Sequence, residues 1–302
     1  MGRGLAPGPR SLESFRQTLH TLRVRSGRTA VAGTDPEPQG THAPTEELWG
    51  LEHTLPGHSV IQKVLISQAE RRPRTVLQRI FGADPLAAGN RSWYKGALGE
   101  IAVGQLLGGI GPEWTVLHSV PVGAGSSDID HVLIGPAGVY TINTKNHGGQ
   151  SVWVAGRTLM VAGKKQRHLY NTAHEATRAA ILLGRQVDGT VPVTGIVAIR
   201  GATTLTIKEQ PVGAVVLADH QLLRWLRSQP ATLNPGQIQR LAAVARHPRT
   251  WHRSPFPTTD PSILRRQFTA LQNTVNNAKA IRGAWAVVAL LAIPMLMLVS
   301  FR

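Results

Sequence analysis

The chain has 302 residues, 42% of them hydrophobic, 17% charged and none of them cysteine, which excludes a disulfide framework, a thiolate metal site and a cysteine nucleophile. Lys and Arg number 33 against 17 Asp and Glu, a formal charge of +16, and only 7 of the 33 are Lys. The charge is therefore mostly guanidinium, which suits bidentate phosphate contact and points to nucleic acid or an anionic membrane face. A GC-rich coding sequence gives the same excess of Arg, Ala and Gly, so charge alone does not choose the partner.

Residues 1–57 scatter Pro7, Pro9, Pro36, Pro38, Pro44 and Pro56 among Gly, Ser and Thr, a composition that predicts a disordered N-terminal region. Leu12, Phe15, Leu19 and Leu22 form one short helical pattern inside it. No apolar stretch follows Met1, so a cleavable secretory signal is not expected. Residues 58–90 read as a helical lead-in, with Val60, Val64, Leu65, Leu77 and Ile80 at roughly helical spacing and a break at Pro73.

The main domain is expected over 91–250. Residues 95–107 read as a helix and 115–120 as a strand. Two β runs, 128–134 and 139–144, are joined by Gly135, Pro136, Ala137 and Gly138, short enough for a hairpin, and a third run covers 150–155. A long helix is predicted over 171–187, capped by Asn171 or Thr172 with Glu175 near its positive end. Runs 193–199 and 214–217 are apolar enough for buried strands, and 221–227 and 235–246 complete the domain as helices. This order predicts an α/β fold in three layers around a central mixed sheet.

Residues 228–302 carry nine basic side chains and one acidic one, Asp260. They divide into a basic linker, 251–283, and an uncharged run, 284–301, which as a helix would span about 27 Å and is expected to cross a membrane once. Trp285 sits where an interfacial aromatic belongs and Pro294 is tolerable in such a helix. The basic stretch before the run predicts a C-terminal anchor with the domain on the cytoplasmic side, near anionic lipid headgroups.

The chain contains no GxxxxGK[ST] loop, no GxGxxG after a strand, no HExxH and no GxSxG, so nucleotide-driven, zincin and serine-elbow chemistry fall away. What remains gathers at the hairpin: Asp128 and Asp130 in DIDH, and Asn143 and Lys145 in NTKNH. Period-two alternation puts Asp128, Asp130 and Val132 on one face of their strand, and Asn143 and Lys145 on one face of the next. Asp130 in a strand interior needs a partner, because a buried unpaired carboxylate is costly. Asp128 reads more simply as a turn-edge residue, and His131 as a core histidine on the opposite strand face.

At these residues the chain resembles the nuclease-related domain (NERD) family, a branch of the PD-(D/E)xK nuclease superfamily. The resemblance rests on WYKGALGE at 93–100, DIDHVLIGPAGVY at 128–140 and NTKNH at 143–147, in that order, and covers roughly 91–227. It implies a restriction-endonuclease-like core. In that superfamily a helix acid, a strand Asp and an acidic-x-Lys motif bind a divalent metal and activate water. Carried over, this nominates Glu100, Asp130 and Asn143 as ligands of Mg²⁺ or Mn²⁺, with Asp130, Glu100 and Lys145 catalytic. Mg²⁺ takes oxygen ligands and keeps several waters, so two carboxylates and a phosphate suffice for it. The family's acid before x-Lys is Asn143 here, an amide that binds Mg²⁺ more weakly. The resemblance thus implies a metal-dependent DNA nuclease, tethered to the membrane if the apolar run 284–301 crosses it, or else a non-catalytic nucleic-acid-binding or scaffolding module with a degenerate metal site. Lys164, Lys165, Arg167 and Arg178 form a basic cluster able to track phosphates, and His147 and His174 are further candidates for substrate contact.

Overall fold

The structure, a computed structural model, describes residues 50–123, 127–252 and 259–300, of which 292–300 by backbone alone. The disorder expected for 1–57, with its short helical pattern, lies outside the described residues as far as residue 49. From residue 50 the chain is packed: Leu51 is buried in a short 3₁₀ turn. The Thr54 hydroxyl lies 2.6 Å from the Leu51 carbonyl and 2.5 Å from that of His118. The last residues of the expected disordered region are thereby fastened to the first strand of the sheet.

Among the described residues three α-helices come first: α1 (His58–Ala69), α2 (Val76–Ile80) and α3 (Asn90–Leu107). Six strands follow, β1 (Thr115–Pro121), β2 (Asp128–Gly135), β3 (Gly138–Asn146), β4 (Ser151–Ala155), β5 (Thr158–Val161) and β6 (Lys164–Gln166). Helix α4 (His168–Val187) leads to β7 (Val193–Arg200), β8 (Thr204–Glu209) and β9 (Ala214–Ala218), and α5 (Leu222–Ser228), α6 (Pro235–Arg246), α7 (Pro248–Trp251) and α8 (Pro261–Ser300) end the described chain.

Two sheets result. The central one has the order β1-β2-β3-β7-β9, antiparallel from β1 to β3 and parallel from β3 to β9, so it is a mixed sheet as expected. Alternation along its strands feeds two helical layers. On one face Ala179 and Leu183 of α4 with Leu241 and Ala245 of α6 cover Val132, Ile134 and Val139. On the other, Val103 and Leu107 of α3 with Leu222 and Leu226 of α5 cover Leu133, Tyr140 and Ile142. The second sheet, β6-β5-β4-β8, buries Val152, Val154 and Leu159 with Val197 and Ile199 of β7.

The hairpin between β2 and β3 has the register Ile134↔Val139 and Gly135↔Gly138. A Cβ on Gly135 would lie 2.2 Å from the indole of Trp114, which is buried and tilted against Tyr140. Gly135→Ala is therefore expected to destabilise the domain by about 2 kcal/mol, the cost of overpacking a filled core. Denaturant titration checks this, and an unchanged midpoint would show that Trp114 moves freely.

Three expectations are corrected. Helix α4 begins at His168, before the expected Asn171 or Thr172 cap, because Leu169 already packs in its first turn and Thr172 is buried in the helix interior. Residues 261–283, read as a basic linker, are helical, with Leu264, Phe268 and Val275 buried against α1 and α3. The membrane-spanning helix expected over 284–301 is not found: among the described residues no helix is long and apolar enough to cross a membrane. The apolar positions 284–291 continue the amphipathic, Arg-bearing α8, and the side chains from 292 on lie outside the described residues.

Candidate active site

The β2–β3 ladder ends at His131↔Ile142. Beyond it the Asp130 carboxylate, instead of a strand carbonyl, accepts the Thr144 N–H at 2.6 Å. The two strands are thus linked through a side chain at the point where β2 and β3 part, while Asn143 and Lys145 stay paired with Val197 and Ile199 of β7. Helix α3 reaches the same end of β3 because Gly99 has no side chain: a Cβ there would meet Asn146 Cβ at 3.1 Å and Thr144 Cγ2 at 3.3 Å. That close approach places the next residue, Glu100, which is only 5% exposed.

Glu100 is pushed well above the usual carboxylate range by burial first and then by the charges of Asp130 and Asp128, while Lys145 and Lys63 oppose the shift. Burial likewise raises Asp130 to about 6, against the pull of Lys145 and the Thr144 N–H. The helix α4 supplies a fourth carboxyl, Glu175, raised to about 7 by burial and by Asp130. Asn143 lies between these groups: its Nδ2 donates to both Glu175 oxygens, at 2.8 and 2.9 Å. Asp128 is raised mainly by burial, with Lys63 and a hydrogen bond from Ser59 opposing. One site therefore joins β2, β3, α3 and α4.

Three oxygens of this group, Glu100 Oε2, Asp128 Oδ2 and Asn143 Oδ1, are buried without a hydrogen-bond partner. Orphaned buried acceptors are costly, and a hard cation is a group that would satisfy them. Among the described residues no three His, Asp or Glu side chains are grouped so as to hold a metal ion. The donors that Asp130, Glu100 and Asn143 offer suit an ion that retains most of its water, as Mg²⁺ does, better than one needing a closed protein cage.

Of the nominated residues, Asp130, Glu100, Asn143 and Lys145 come together. Lys164 and Lys165 lie exposed on the edge strand β6. Arg167 precedes α4 with its guanidinium 4.9 Å from the Tyr170 ring centre, and Arg178 reaches the backbone at Gly123. His147 stacks on His168, their Nε2 atoms 3.1 Å apart, and His168 is lowered to about 3 by burial, then by Lys145 and His147. His131 is fully buried and lies 2.9 Å, Nδ1 to Nδ1, from His118.

Sequence reasoning missed Glu175 and Lys63, and read Asp128 as a turn residue. The signal for Glu175 was present but pointed elsewhere, since an acid near a helix start has a sufficient explanation in the helix dipole. Asn143→Asp would set a second negative charge against Glu175. It is expected to cost the metal-free protein about 2 kcal/mol at pH 8, the value of a lost hydrogen bond to a charged group, and to tighten Mn²⁺ binding about tenfold by adding a charged ligand. Calorimetry with Mn²⁺ checks the second effect, and unchanged affinity would remove Asn143 from the ligand set.

The family described as nuclease-related domain (NERD) matches residues 95–200. That span runs from Lys95 in α3 to Arg200 at the end of β7 and includes Glu100, Asp128, Asp130, Asn143, Lys145 and Glu175. No curated protein and no solved structure matches the chain.

Proposed function

We propose that this nuclease-related domain has a restriction-endonuclease-like core and hydrolyses phosphodiester bonds in DNA with a divalent cation, Mg²⁺ or Mn²⁺. The observation that carries the reading is the gathering of buried Glu100 with half-buried Asp130 and Glu175 around Lys145, with oxygens of Glu100 and Asn143 left without partners. Asp130 and Glu100, with the Asn143 amide oxygen, would hold the cation, which supplies charge stabilisation at phosphorus and acidifies a bound water. Lys145 orients the attacking water and offsets the charge that develops on the phosphate. Glu175, with a pKa of about 7, can accept a proton at neutral pH. Asp130 is half-buried at this end of the sheet, and the reduced contact with bulk water strengthens each of these interactions.

Helix α4 also supplies a route for the nucleic acid. At about 100° per residue, Arg167, Asn171 and Arg178 lie on the flank next to Glu175 and His168, and Tyr170 and His174 lie further out. Tyr170 is exposed between Arg167 and His174, stacking on the latter with ring centres 6.3 Å apart. Guanidinium groups and aromatic faces in that arrangement suit phosphates and unpaired bases. Lys164 and Lys165 extend the positive surface.

A second reading, a nucleic-acid-binding module without turnover, is favoured by one observation: the acidic position before x-Lys is an amide that hydrogen-bonds Glu175. Incubation of plasmid, linear duplex and single-stranded DNA with Mg²⁺ or Mn²⁺ separates the two. Cleavage removed by EDTA and by Asp130→Ala supports hydrolysis. Salt-dependent binding with no cleavage in either metal assigns the second reading.

A further inference from the structure

Helix α2 is a structured element with no buried residue. Val76, Leu77, Ile80 and Phe81 are 70%, 66%, 49% and 56% exposed, although burial of such side chains is what ordinarily stabilises a short helix. Other bonds hold its shape. Thr75 and Gln78 form a reciprocal capping box, the Thr75 N–H donating to Gln78 Oε1 at 3.0 Å and the Gln78 N–H to Thr75 Oγ1 at 3.3 Å. Arg74 Nη1 donates to the Ala83 carbonyl at 2.8 Å. Gly82, at φ 65°, lies so close to α8 that a Cβ would stand 2.5 Å from the Ala278 carbonyl oxygen.

The helix is also fixed to the apolar end of α8. Trp285 Nε1 donates to the Ile80 carbonyl at 2.8 Å, and the Phe81 and Trp285 rings are 5.2 Å apart. Beyond Trp285, Val287, Val288, Leu290 and Leu291 are exposed as well. The exposed hydrophobic side chains of α2 are thus joined at Phe81 and Trp285 to the start of a further exposed apolar run, where a soluble surface ordinarily shows such side chains singly. Arg79 in α2, Arg72 just before it in the chain and Arg282 of α8, which packs against Gly82, are all exposed. Between Gly283 and Phe301 the sequence has no charged residue.

We propose that α2 and the adjoining face of α8 form a membrane-surface foot, which seats Val76, Leu77, Ile80 and Phe81 among the acyl chains of an anionic bilayer with the arginines at headgroup level. Apolar side chains on a short preformed helix, with exposed arginines in the same segment and on α8, match the layered chemistry of a bilayer interface. The tryptophan at the junction suits the headgroup region, where an amphipathic ring has both an apolar and a polar neighbour. The occupant is a lipid surface and not a second copy, because a self-complementary face would set these arginines against each other. The foot needs no membrane crossing and is independent of whether the domain cleaves DNA.

The chain has no cysteine, so Leu77→Cys in the full-length protein gives a single thiol for a polarity-sensitive fluorophore. Val212→Cys, at a position 93% exposed on a loop between β8 and β9, is the control. With vesicles of phosphatidylcholine containing about 30% phosphatidylserine, the Leu77 probe is expected to shift to the blue and to be quenched by lipids labelled near the headgroup, while the Val212 probe does neither. Arg72→Glu with Arg79→Glu should weaken this response at least about tenfold, and neutral phosphatidylcholine should give little of it. A Leu77 probe that stays in water on vesicle-bound protein overturns the proposal. So does a blue shift that appears without vesicles and grows with protein concentration, which would assign the face to a second copy.

Discussion

Lys145→Ala is expected to lower metal-dependent DNA cleavage by about 10²- to 10⁴-fold, the usual range for loss of a positioned proton-transfer or water-orienting group. DNA affinity should change by less than about threefold, because one ammonium contributes a small part of a multi-phosphate interface. A third effect separates catalysis from mere structural support. Lys145 is the countercharge for Asp130, Glu100, Glu175 and Asp128, whose pKa values it draws down. Without it the site becomes more negative, so Mn²⁺ should bind more tightly even as turnover disappears. A structural lysine would give the opposite pairing, with metal affinity and activity falling together. Single-turnover cleavage, a DNA shift assay and calorimetry on the same variant supply the three readings.

The sequence made the hairpin legible because three independent cues agreed there. Val132 and Ile134 alternate with Leu133, the connection is short and glycine-flanked, and Asp130 stands where an apolar residue would otherwise be expected. The central sheet followed from the same alternation. The second sheet did not, since β5 and β6 span only Thr158–Val161 and Lys164–Gln166 and β8 is polar and mostly exposed. Periodicity over three or four residues cannot be told from a loop. Helix α8 was misread for a different reason: Leu264, Phe268, Leu271, Val275 and Ala278 do recur at helical spacing, but the density of arginines over 251–283 drew attention to charge.

The site was half visible. Asp130, Asn143 and Lys145 are close in sequence because one hairpin carries them, whereas Glu175 lies 32 residues from its partner Asn143. Only the packing of α4 across β3 brings them together, and no spacing rule within either segment reveals that. Lys63 is further still from the hairpin, on α1, where its ammonium lies 5.3 Å from the Trp93 ring. Pairings of this kind depend on tertiary register, which the order of motifs along a chain does not encode.

Millimolar Mn²⁺ or Mg²⁺ is expected to raise the melting temperature strongly at pH 8 and hardly at all at pH 5. Asp130 and Glu175 carry folded-state pKa values of about 6 and about 7, and Glu100 lies well above its ordinary value. These are raised carboxyls, so between about pH 4 and pH 7 the folded protein binds more protons than the unfolded chain, and stability falls as pH rises through that window. Above pH 7 the full cost of crowded negative charge is present. A cation at Asp130 and Glu100 relieves it there, whereas below about pH 5 protons already occupy the carboxyls and compete with the metal. At a hundred times its dissociation constant a ligand adds about 2.7 kcal/mol, which for a unit of this size is a rise of roughly 5–10 °C. Glu175→Gln should raise the metal-free melting temperature at pH 8 by removing one of the crowded charges while keeping a hydrogen-bonding partner for Asn143. Differential scanning fluorimetry from pH 5 to pH 8, with and without EDTA, makes the measurement. Melting temperatures that ignore both pH and divalent metal would mean that the four carboxyls are not crowded and hold no cation.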